Sequence, residues 1–240
     1  MATRLQRNVL ILSASVGGGH LRAAEAVELA LGKLAPQAAV RNVDVLTMAN
    51  MAFRRVYGKG YLDFASFAPH LLGYMYDRLD SPKTQRGKVA PPDRLRIAFQ
   101  KLNMRPFLKL LRSEPWDIVV STHFLSAEII SALRLSGNIS VPQVTVTTDF
   151  MAHRMWVQEP CEHFFAACEE SAAYLHFWGV PQEGITVSGI PVHPVLSQRK
   201  DPIDCLNALG LRGDRSVVLI LSGGPDDRAP LGDRCRVRKK

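Results

Sequence analysis

Short apolar runs alternate with segments of helical periodicity along most of this chain. The first run, residues 9–12, is continuously apolar and leads through small residues into three consecutive glycines and His20. Residues 21–30 then follow a helical period, with apolar positions on one side and charged positions on the other. A short unbroken apolar run is typical of a strand buried on both faces, so this stretch predicts a buried strand, a glycine turn and a helix. The glycines would let the backbone turn sharply and let a ligand approach it closely.

The same alternation continues through most of the sequence. Further strands are predicted over residues 38–46, 116–123, 142–149, 163–167 and 185–188. Further helices are predicted over residues 94–112, 124–135 and 171–178. Pro106 should kink or divide the first of these helices. Strands that alternate with helices predict an α/β fold, a Rossmann-like parallel sheet. Ligands of such sheets bind at the carboxyl ends of the strands, where this chain places polar residues.

Residues 48–80 are rich in aromatic and methionine side chains, with basic residues between them. Phe53, Tyr57, Tyr61 and Phe64 are spaced as on one face of a helix. One interpretation is an amphipathic helix packed on the sheet, and the other is a surface for a greasy, anionic ligand such as a lipid at a bilayer interface. Residues 81–93 are polar and contain prolines, which indicates a loop.

Composition narrows the class of protein. The chain has 30 Lys and Arg against 22 Asp and Glu, a formal net charge of +8, which favours an anionic partner. No nucleic-acid-binding module is recognisable, so we expect no nucleic acid partner. The 4 cysteines are irregularly spaced, which favours a reducing, cytoplasmic setting and packing roles over a zinc site. No apolar stretch approaches the ~20 residues of a spanning helix, so any membrane contact should be peripheral.

The last part of the chain differs from the rest. Residues 199–215 indicate a linker with a short helix over 203–209, and residues 216–221 predict a strand followed by a second glycine turn. The final residues, 226–240, are basic and lack apolar periodicity. We therefore expect one domain over residues 1–198, and over 199–240 a linker, the first strand of a missing second domain and an irregular tail.

Known phosphate-binding patterns do not fit the first glycine turn. Arg22 stands where a dinucleotide-binding GxGxxG turn needs its third glycine, and there is no Walker A motif. Asp44, near the end of the second predicted strand, is therefore expected to be a loop or cap residue. A Rossmann-like nucleotide-binding protein of another class stays open as an alternative.

Several ordered motifs carry a resemblance to a known family. They are residues 15–20 with the following helix, the TDFxxHxxW segment over 148–156, the WGVP segment over 178–181 and the GIPV segment over 189–192. Together they resemble the N-terminal half of the family of monogalactosyldiacylglycerol synthases and processive diacylglycerol glucosyltransferases. The resemblance covers roughly residues 8–224.

This resemblance implies a GT-B architecture of two Rossmann-like domains, of which the N-terminal one binds the lipid acceptor and rests on an anionic membrane surface. It implies inverting transfer of a hexose from a UDP-sugar to the 3-hydroxyl of diacylglycerol, with neither a cofactor nor a metal ion. The chain would be cytoplasmic and peripheral at the membrane. Because the UDP-sugar domain is missing, we expect this chain alone to transfer no sugar at a useful rate. An inactive, truncated membrane-surface lipid-binding module is the alternative.

The resemblance also implies roles for particular residues. His20 is the predicted catalytic base, and Asp149 is a second catalytic candidate that could orient a histidine, bind the acceptor hydroxyl or act as the base itself. The predicted substrate-binding residues are Gly18, Gly19, Phe150, His153, Trp156, Gly189 and Pro191. Packing around the strand end is an equal interpretation for His153 and Trp156, and a structural turn for Gly189 and Pro191.

Overall fold

The computed structural model describes residues 6–60 and 91–218 of the chain. The chain divides into two compact units, Met1–Leu196 and Ser197–Lys240. Among the described residues, no helix is both long enough and apolar enough to cross a bilayer.

The first unit is built on a six-stranded parallel sheet with the strand order β2-β1-β3-β4-β5-β6. Its strands are β1 Asn8–Ser13, β2 Ala39–Asp44, β3 Ile118–Ser121, β4 Gln143–Val146, β5 His163–Ala166 and β6 Ile185–Val187. The helices of its described part are α1 Gly18–Leu34, α2 Met51–Arg54, α3 Pro91–Asn103, α4 Arg105–Ser113, α5 Phe124–Leu135 and α6 Glu169–Phe177. Short 3₁₀ segments cover Val45–Met48, Arg154–Trp156, Gln182–Gly184 and Pro194–Ser197, and a π-helix covers Arg55–Gly60. The predicted α/β, Rossmann-like fold is confirmed.

Strand β1 shows why the apolar runs form this sheet. Leu10 and Leu12 of β1 belong to a core cluster with residues of α4 and α5, whereas Val9 and Ile11 belong to a separate cluster with Ala24 of α1. Successive side chains of a strand point to opposite faces, so a strand covered on both faces must be apolar at every position.

The helix predicted over residues 94–112 is two helices. α3 ends at Asn103, and α4 begins at Arg105 with Pro106 in its first turn. Proline lacks the N–H that a continuing helix would need, but it is tolerated at a helix start, so the predicted division is confirmed. α3 begins at Pro91, three residues before the predicted start and inside the predicted loop.

The predictions for residues 48–80 and for the second unit are confirmed only in part. The helix predicted over residues 48–80 is seen as α2 and the π-helix, with Phe53 buried, while Tyr61 and Phe64 lie outside the described residues. In the second unit, α7 Pro202–Ala208 matches the predicted short helix. The strand predicted over 216–221 is wrong for Ser216–Val218, which are irregular, and its remainder lies outside the described ranges. A strand needs a hydrogen-bonded neighbour, and the described part of this unit contains none.

Helix α3 has an unusual distribution of polarity. Its inward side places Arg96 and Gln100 against Glu128 of α5, whose side chain is only 2% exposed. Arg96 donates from both Nη atoms, at 2.5 and 2.9 Å, and Gln100 Nε2 donates at 2.8 Å. The outward side carries Leu95, Phe99 and Leu102, which are 76%, 58% and 59% exposed. Polar groups therefore anchor this helix together with Ile97, which is 7% exposed, while an apolar stripe faces away from the core.

Candidate active site

The carboxyl ends of β1, β3 and β4 place the candidate residues together. β1 connects to β2 on one side and lies beside β3 on the other, so the order of the strands reverses between β1 and β3. Ligands of open parallel sheets bind in the crevice at such a point. His20 lies in the first turn of α1, Thr122 and His123 follow β3, and Thr148 and Asp149 follow β4.

The glycines before His20 do not form the sharp turn that the sequence predicts. Gly17 has φ 178° and ψ 161°, extended backbone that any residue adopts, and Gly18 and Gly19 belong to the first turn of α1. A Cβ added at any of the three would meet no heavy atom within 4 Å in the described part of the chain. Open space beside the backbone, and not a strained conformation, is therefore what these glycines provide.

His20 is held through its Nδ1 atom by two oxygens. Nδ1 lies 3.0 Å from the carbonyl oxygen of Thr122 and 2.7 Å from Oγ1 of Thr148. A carbonyl oxygen can only accept, so the first contact is a hydrogen bond only when Nδ1 carries the proton. The other ring nitrogen, Nε2, makes no hydrogen bond to the described residues. Its lone pair is thereby available to accept a proton.

Thr122 links the two strands that flank the site. Its backbone N–H donates to the Leu12 carbonyl at 2.8 Å, which joins the ends of β3 and β1. Its hydroxyl lies 3.0 Å from the backbone carbonyl of His20 and 3.2 Å from that of Leu12, and either oxygen can accept its proton. The side chain is fully buried. Thr122 therefore fixes the backbone of His20 through its hydroxyl and the ring through its carbonyl.

The surroundings of His20 favour its neutral form. Burial lowers its pKa below the ordinary histidine value, and the Asp149 carboxylate and the Thr122 carbonyl oppose this lowering only in part. A histidine with a lowered pKa is uncharged at neutral pH, the state that a general base requires.

His123 packs directly against His20, which the sequence indicated only by its position after a strand. The two rings meet edge to face with centroids 4.5 Å apart. Nδ1 of His123 accepts from the Leu125 N–H at 3.0 Å and so caps α5. Burial, and then the charges of His20 and His153, lower the pKa of His123 well below the ordinary value. His123 is therefore a neutral, buried cap that forms one side of the site.

Asp149 does not contact the ring of His20 through a hydrogen bond. Its Oδ2 accepts from Nε1 of Trp156 at 2.7 Å and lies 3.7 Å from Nε2 of His153. Trp156 is fully buried, which favours packing around the strand end, and its predicted role in substrate binding stays a prediction. His153 packs edge to face on Phe124, with ring centroids 5.2 Å apart. Asp149 thus orders the segment after β4.

The remaining predicted site residues make no hydrogen bond to the His20 ring within the described part of the chain. Phe150 is 66% exposed, beside the segment that Asp149 orders. Gly189 follows β6, the edge strand on the far side of the sheet, and its φ of +78° favours glycine. Pro191 lies in the same turn. The chain then returns toward α1, where Nε2 of His193 lies 4.0 Å from Oε1 of Glu25.

Two residues considered for other chemistry have structural roles. Oδ1 of Asp44 accepts from the N–H groups of Ser15 and Leu46 at 3.1 and 3.0 Å, so Asp44 is the expected cap. Cys161 contacts the backbone carbonyls of Gln143 and His163 through its thiol. Within residues 6–60 and 91–218, no three His, Cys, Asp or Glu side chains are grouped to hold a metal ion.

The described part of the chain is thus an α/β protein with a Rossmann-like domain, in which His20 lies where the order of the strands reverses. The sequence model of the monogalactosyldiacylglycerol (MGDG) synthase family matches residues 20–192. The chain therefore belongs to the monogalactosyldiacylglycerol synthase family, and the resemblance in its motifs is confirmed.

Two relatives illustrate the similarity. The chain is 24% identical over 220 residues to a processive diacylglycerol beta-glucosyltransferase of Staphylococcus haemolyticus, covering 90% of this chain and 52% of the relative. It is 25% identical over 231 residues to the protein of the same name from Bacillus cereus, covering 95% and 56%. The chain thus spans about half the length of the curated relatives it matches.

Solved structures with related folds are more distant. One is the apo form of the lipopolysaccharide outer core galactosyltransferase WaaB, with a TM-score of 0.44, 12% identity and coverage of 75% of this chain and 44% of that one. Another is Anabaena HepE in complex with UDP and glucose, with a TM-score of 0.41, 12% identity and coverage of 85% and 50%.

Proposed function

We propose that this chain is the acceptor-binding half of a glycosyltransferase that moves a hexose from a UDP-sugar to diacylglycerol. The observation that carries the proposal is the neutral His20, whose Nδ1 contacts two oxygens while Nε2 makes no hydrogen bond to the described residues. Family membership supports the choice of substrates, because the two relatives above are named diacylglycerol glucosyltransferases. Residues 1–198 would form the acceptor domain, and 199–240 would lead toward a donor domain.

The proposed reaction needs one proton acceptor and one leaving group. Nε2 of His20 takes the proton of the 3-hydroxyl while that oxygen attacks C1 of the sugar. The bond from C1 to the diphosphate breaks, and UDP leaves with the electron pair, which inverts the anomeric centre. Open space beside Gly18 and Gly19 lets both substrates approach the base closely. Contacts to UDP would belong to the donor domain.

An apolar cleft near the histidines suits an acyl chain. The cleft has a volume of about 370 Å³ and lies between α2, the π-helix and α3. Phe53, Val56, Tyr57, Phe99 and Met155 are among its lining residues. The ring of Tyr57 lies 6.4 Å from the ring of His123, which itself contacts His20. A lipid tail in this cleft would bring its glycerol head toward the base.

The experiment that tests this proposal joins the acceptor domain to a donor half taken from a relative. Residues 1–198 are joined to the donor half of the Bacillus cereus relative, and transfer from labelled UDP-glucose or UDP-galactose to diacylglycerol is measured in mixed micelles. We expect a β-linked product, and His20→Gln should lower kcat by about 10²- to 10⁴-fold, the range for losing a general base. Equal rates with and without His20 would overturn the assignment of the base. The unjoined chain is the control and should be inactive.

The exposed stripe of α3 supports a peripheral position at an anionic membrane surface, which we propose for this domain. Leu95, Phe99 and Leu102 recur at intervals of four and three residues, so they share one face of the helix. Arg94 precedes the stripe and Lys101 lies within it, and the whole chain has a net charge of +8. Insertion of an exposed leucine into a bilayer contributes about 1–2 kcal/mol, and anionic headgroups attract the basic residues.

A matched pair of leucine variants tests the membrane proposal. Leu95 on α3 and Leu34 at the end of α1 are 76% and 83% exposed. In sedimentation with vesicles that contain anionic lipid, Leu95→Gln should weaken binding about five- to tenfold, whereas Leu34→Gln should leave it unchanged. Glutamine preserves helix propensity, so folding is not the variable. Equal losses in both variants would contradict a specific surface, and equal binding to neutral vesicles would contradict the electrostatic part.

A further inference from the structure

The hydroxyl of Thr148 is the shortest polar contact of the His20 ring. Thr148 is 128 residues away in sequence, and its Oγ1 reaches Nδ1 at 2.7 Å from the end of β4. The Thr122 carbonyl approaches the same nitrogen at 3.0 Å from the end of β3. Two strands that are neighbours in the sheet therefore each place one oxygen on one side of the ring.

The Thr122 carbonyl determines whether the Thr148 hydroxyl donates to Nδ1 of His20 or accepts from it. If Nδ1 lacked its proton, its lone pair would face the lone pairs of the Thr122 oxygen at 3.0 Å, an unfavourable contact. With Nδ1 protonated, the carbonyl accepts that proton, and the Thr148 hydroxyl is a second acceptor beside it. A hydroxyl can donate or accept, but the carbonyl oxygen can only accept. Nδ1 therefore carries the proton, and the Thr148 hydroxyl accepts from it.

We propose that Thr148 is a positioning residue for His20, which holds the ring with Nδ1–H between two oxygens so that Nε2 faces the acceptor hydroxyl. This inference rests on the proposed function for its role in catalysis, but its geometric content concerns this chain alone. Threonine suits the position because its branched side chain has few χ1 rotamers and keeps the oxygen in place.

The same arrangement stabilises the charge that forms on the ring. When Nε2 accepts the proton of the attacking hydroxyl, the ring becomes an imidazolium and its Nδ1–H becomes a stronger donor. Hydrogen bonds from a charged donor are about twice as strong as neutral ones, so both oxygens hold the product of proton transfer more tightly than the reactant. Thr148 would therefore contribute to the basicity of His20 as well as to its orientation.

Other titratable groups around the ring must be considered in any measurement. His123 contacts the ring from the start of α5, Asp149 acts on it from the segment after β4, and His153 lies beyond both. Glu25, on the next turn of α1, forms an ion pair with Arg22 at 2.7 Å. None of these side chains is altered by a change at Thr148, so a comparison of variants isolates the hydroxyl.

Nitrogen-15 NMR of the histidine rings in the purified chain tests the proposal without any substrate. The protonated and unprotonated ring nitrogens have well-separated shifts, so the wild-type spectrum reports the tautomer of His20 directly. We expect the Nδ1–H tautomer, and the Nε2–H tautomer would overturn the proposal. A pH titration of the same signals then gives the pKa of His20 in wild type, Thr148→Val and Thr148→Ser.

The sign of the change separates the two possible roles of the hydroxyl. If Thr148 accepts from Nδ1–H, Thr148→Val should lower the proton-binding constant of His20 about fivefold, the factor for the extra strength of one charge-assisted hydrogen bond, and Thr148→Ser should restore it. If the hydroxyl instead donates to Nδ1, the valine variant should bind the proton more tightly. A rise or no change overturns the proposal. Failure of sugar transfer in the joined enzyme would leave this result intact and would refute only the proposed function.

Discussion

The ion pair between Arg96 and Glu128 provides a quantitative test of how α3 is held. Arg96→Met keeps most of the length of the side chain and removes the charge. The Glu128 carboxylate, 2% exposed, then loses the guanidinium of Arg96 and keeps the Gln100 amide among its partners. Removing one partner of a buried ion pair costs about 3–5 kcal/mol, and because the Arg96 side chain is 29% exposed we expect the lower end, about 3 kcal/mol.

Urea unfolding followed by circular dichroism gives the free energy of unfolding, and two further variants make the result interpretable. Arg96→Met with Glu128→Leu removes both charges and should recover most of the loss, less about 1 kcal/mol for the Gln100 amide that loses its acceptor. Arg22→Met breaks the exposed pair with Glu25 and should cost less than about 0.5 kcal/mol. A loss below about 1 kcal/mol in the first variant, or a double variant as unstable as the single one, would refute the reasoning.

Individual groups elsewhere in the chain support three other predictions. The free energy of unfolding should fall as the pH drops below 6.5, because His123 is then protonated in the unfolded chain while burial keeps its pKa in the folded chain well below that value. Urea titrations of His123→Gln should show a shallower fall. Burial raises the pKa of Cys161 to about 11, so iodoacetamide at neutral pH should alkylate Cys205 before Cys161 in a mass-spectrometric time course, and faster labelling of Cys161 would contradict this. Gly189→Ala should destabilise the first unit by about 1–2 kcal/mol in thermal unfolding, since its φ of +78° is unfavourable for a residue with a Cβ.

The strands and helices of the sheet region can be predicted because neighbouring residues in the sequence carry the patterns that indicate them. β1 and β3 contain continuous apolar runs, at residues 9–12 and 118–120, and polar or small residues follow both runs. α5 begins at Phe124 and ends at Leu135, the predicted bounds, because its apolar residues recur at helical spacing after a polar cap. Burial on both faces makes such strands continuous in sequence, so one chain carries enough information to place them.

The polarity of α3 could not be predicted for a different reason. Periodicity shows that a helix has two unlike faces, but it does not show which face turns inward. Burial of an apolar face is the usual outcome, yet here Gln100 and Arg96 turn toward the buried Glu128 and Leu95 turns outward. Nothing in residues 91–103 indicates that an acidic partner lies 28 to 32 residues farther along the chain.

The sequence suggests two reasons for the three glycines, a sharp turn and close approach of a ligand to the backbone, and the structure contradicts only the first. Conformational freedom is the usual explanation for consecutive glycines, but Gly17 is extended and Gly18 and Gly19 are helical. The missing side chains leave open space beside the start of α1. A sequence shows that a side chain is absent, whereas only coordinates show whether the backbone or its surroundings require the absence.

The site itself illustrates why a catalytic residue can be anticipated while its environment cannot. His20 lies at a place that the sequence marks, after an apolar strand and at a helix start. Its basicity, however, depends on opposing effects: burial lowers the pKa, and Asp149 and the Thr122 carbonyl raise it. Thr122 and Thr148 reach the ring from 102 and 128 residues away, because β3 and β4 end at the same edge of the sheet as β1. Parallel topology therefore brings these groups together, and the strength of the base depends on the order of the strands.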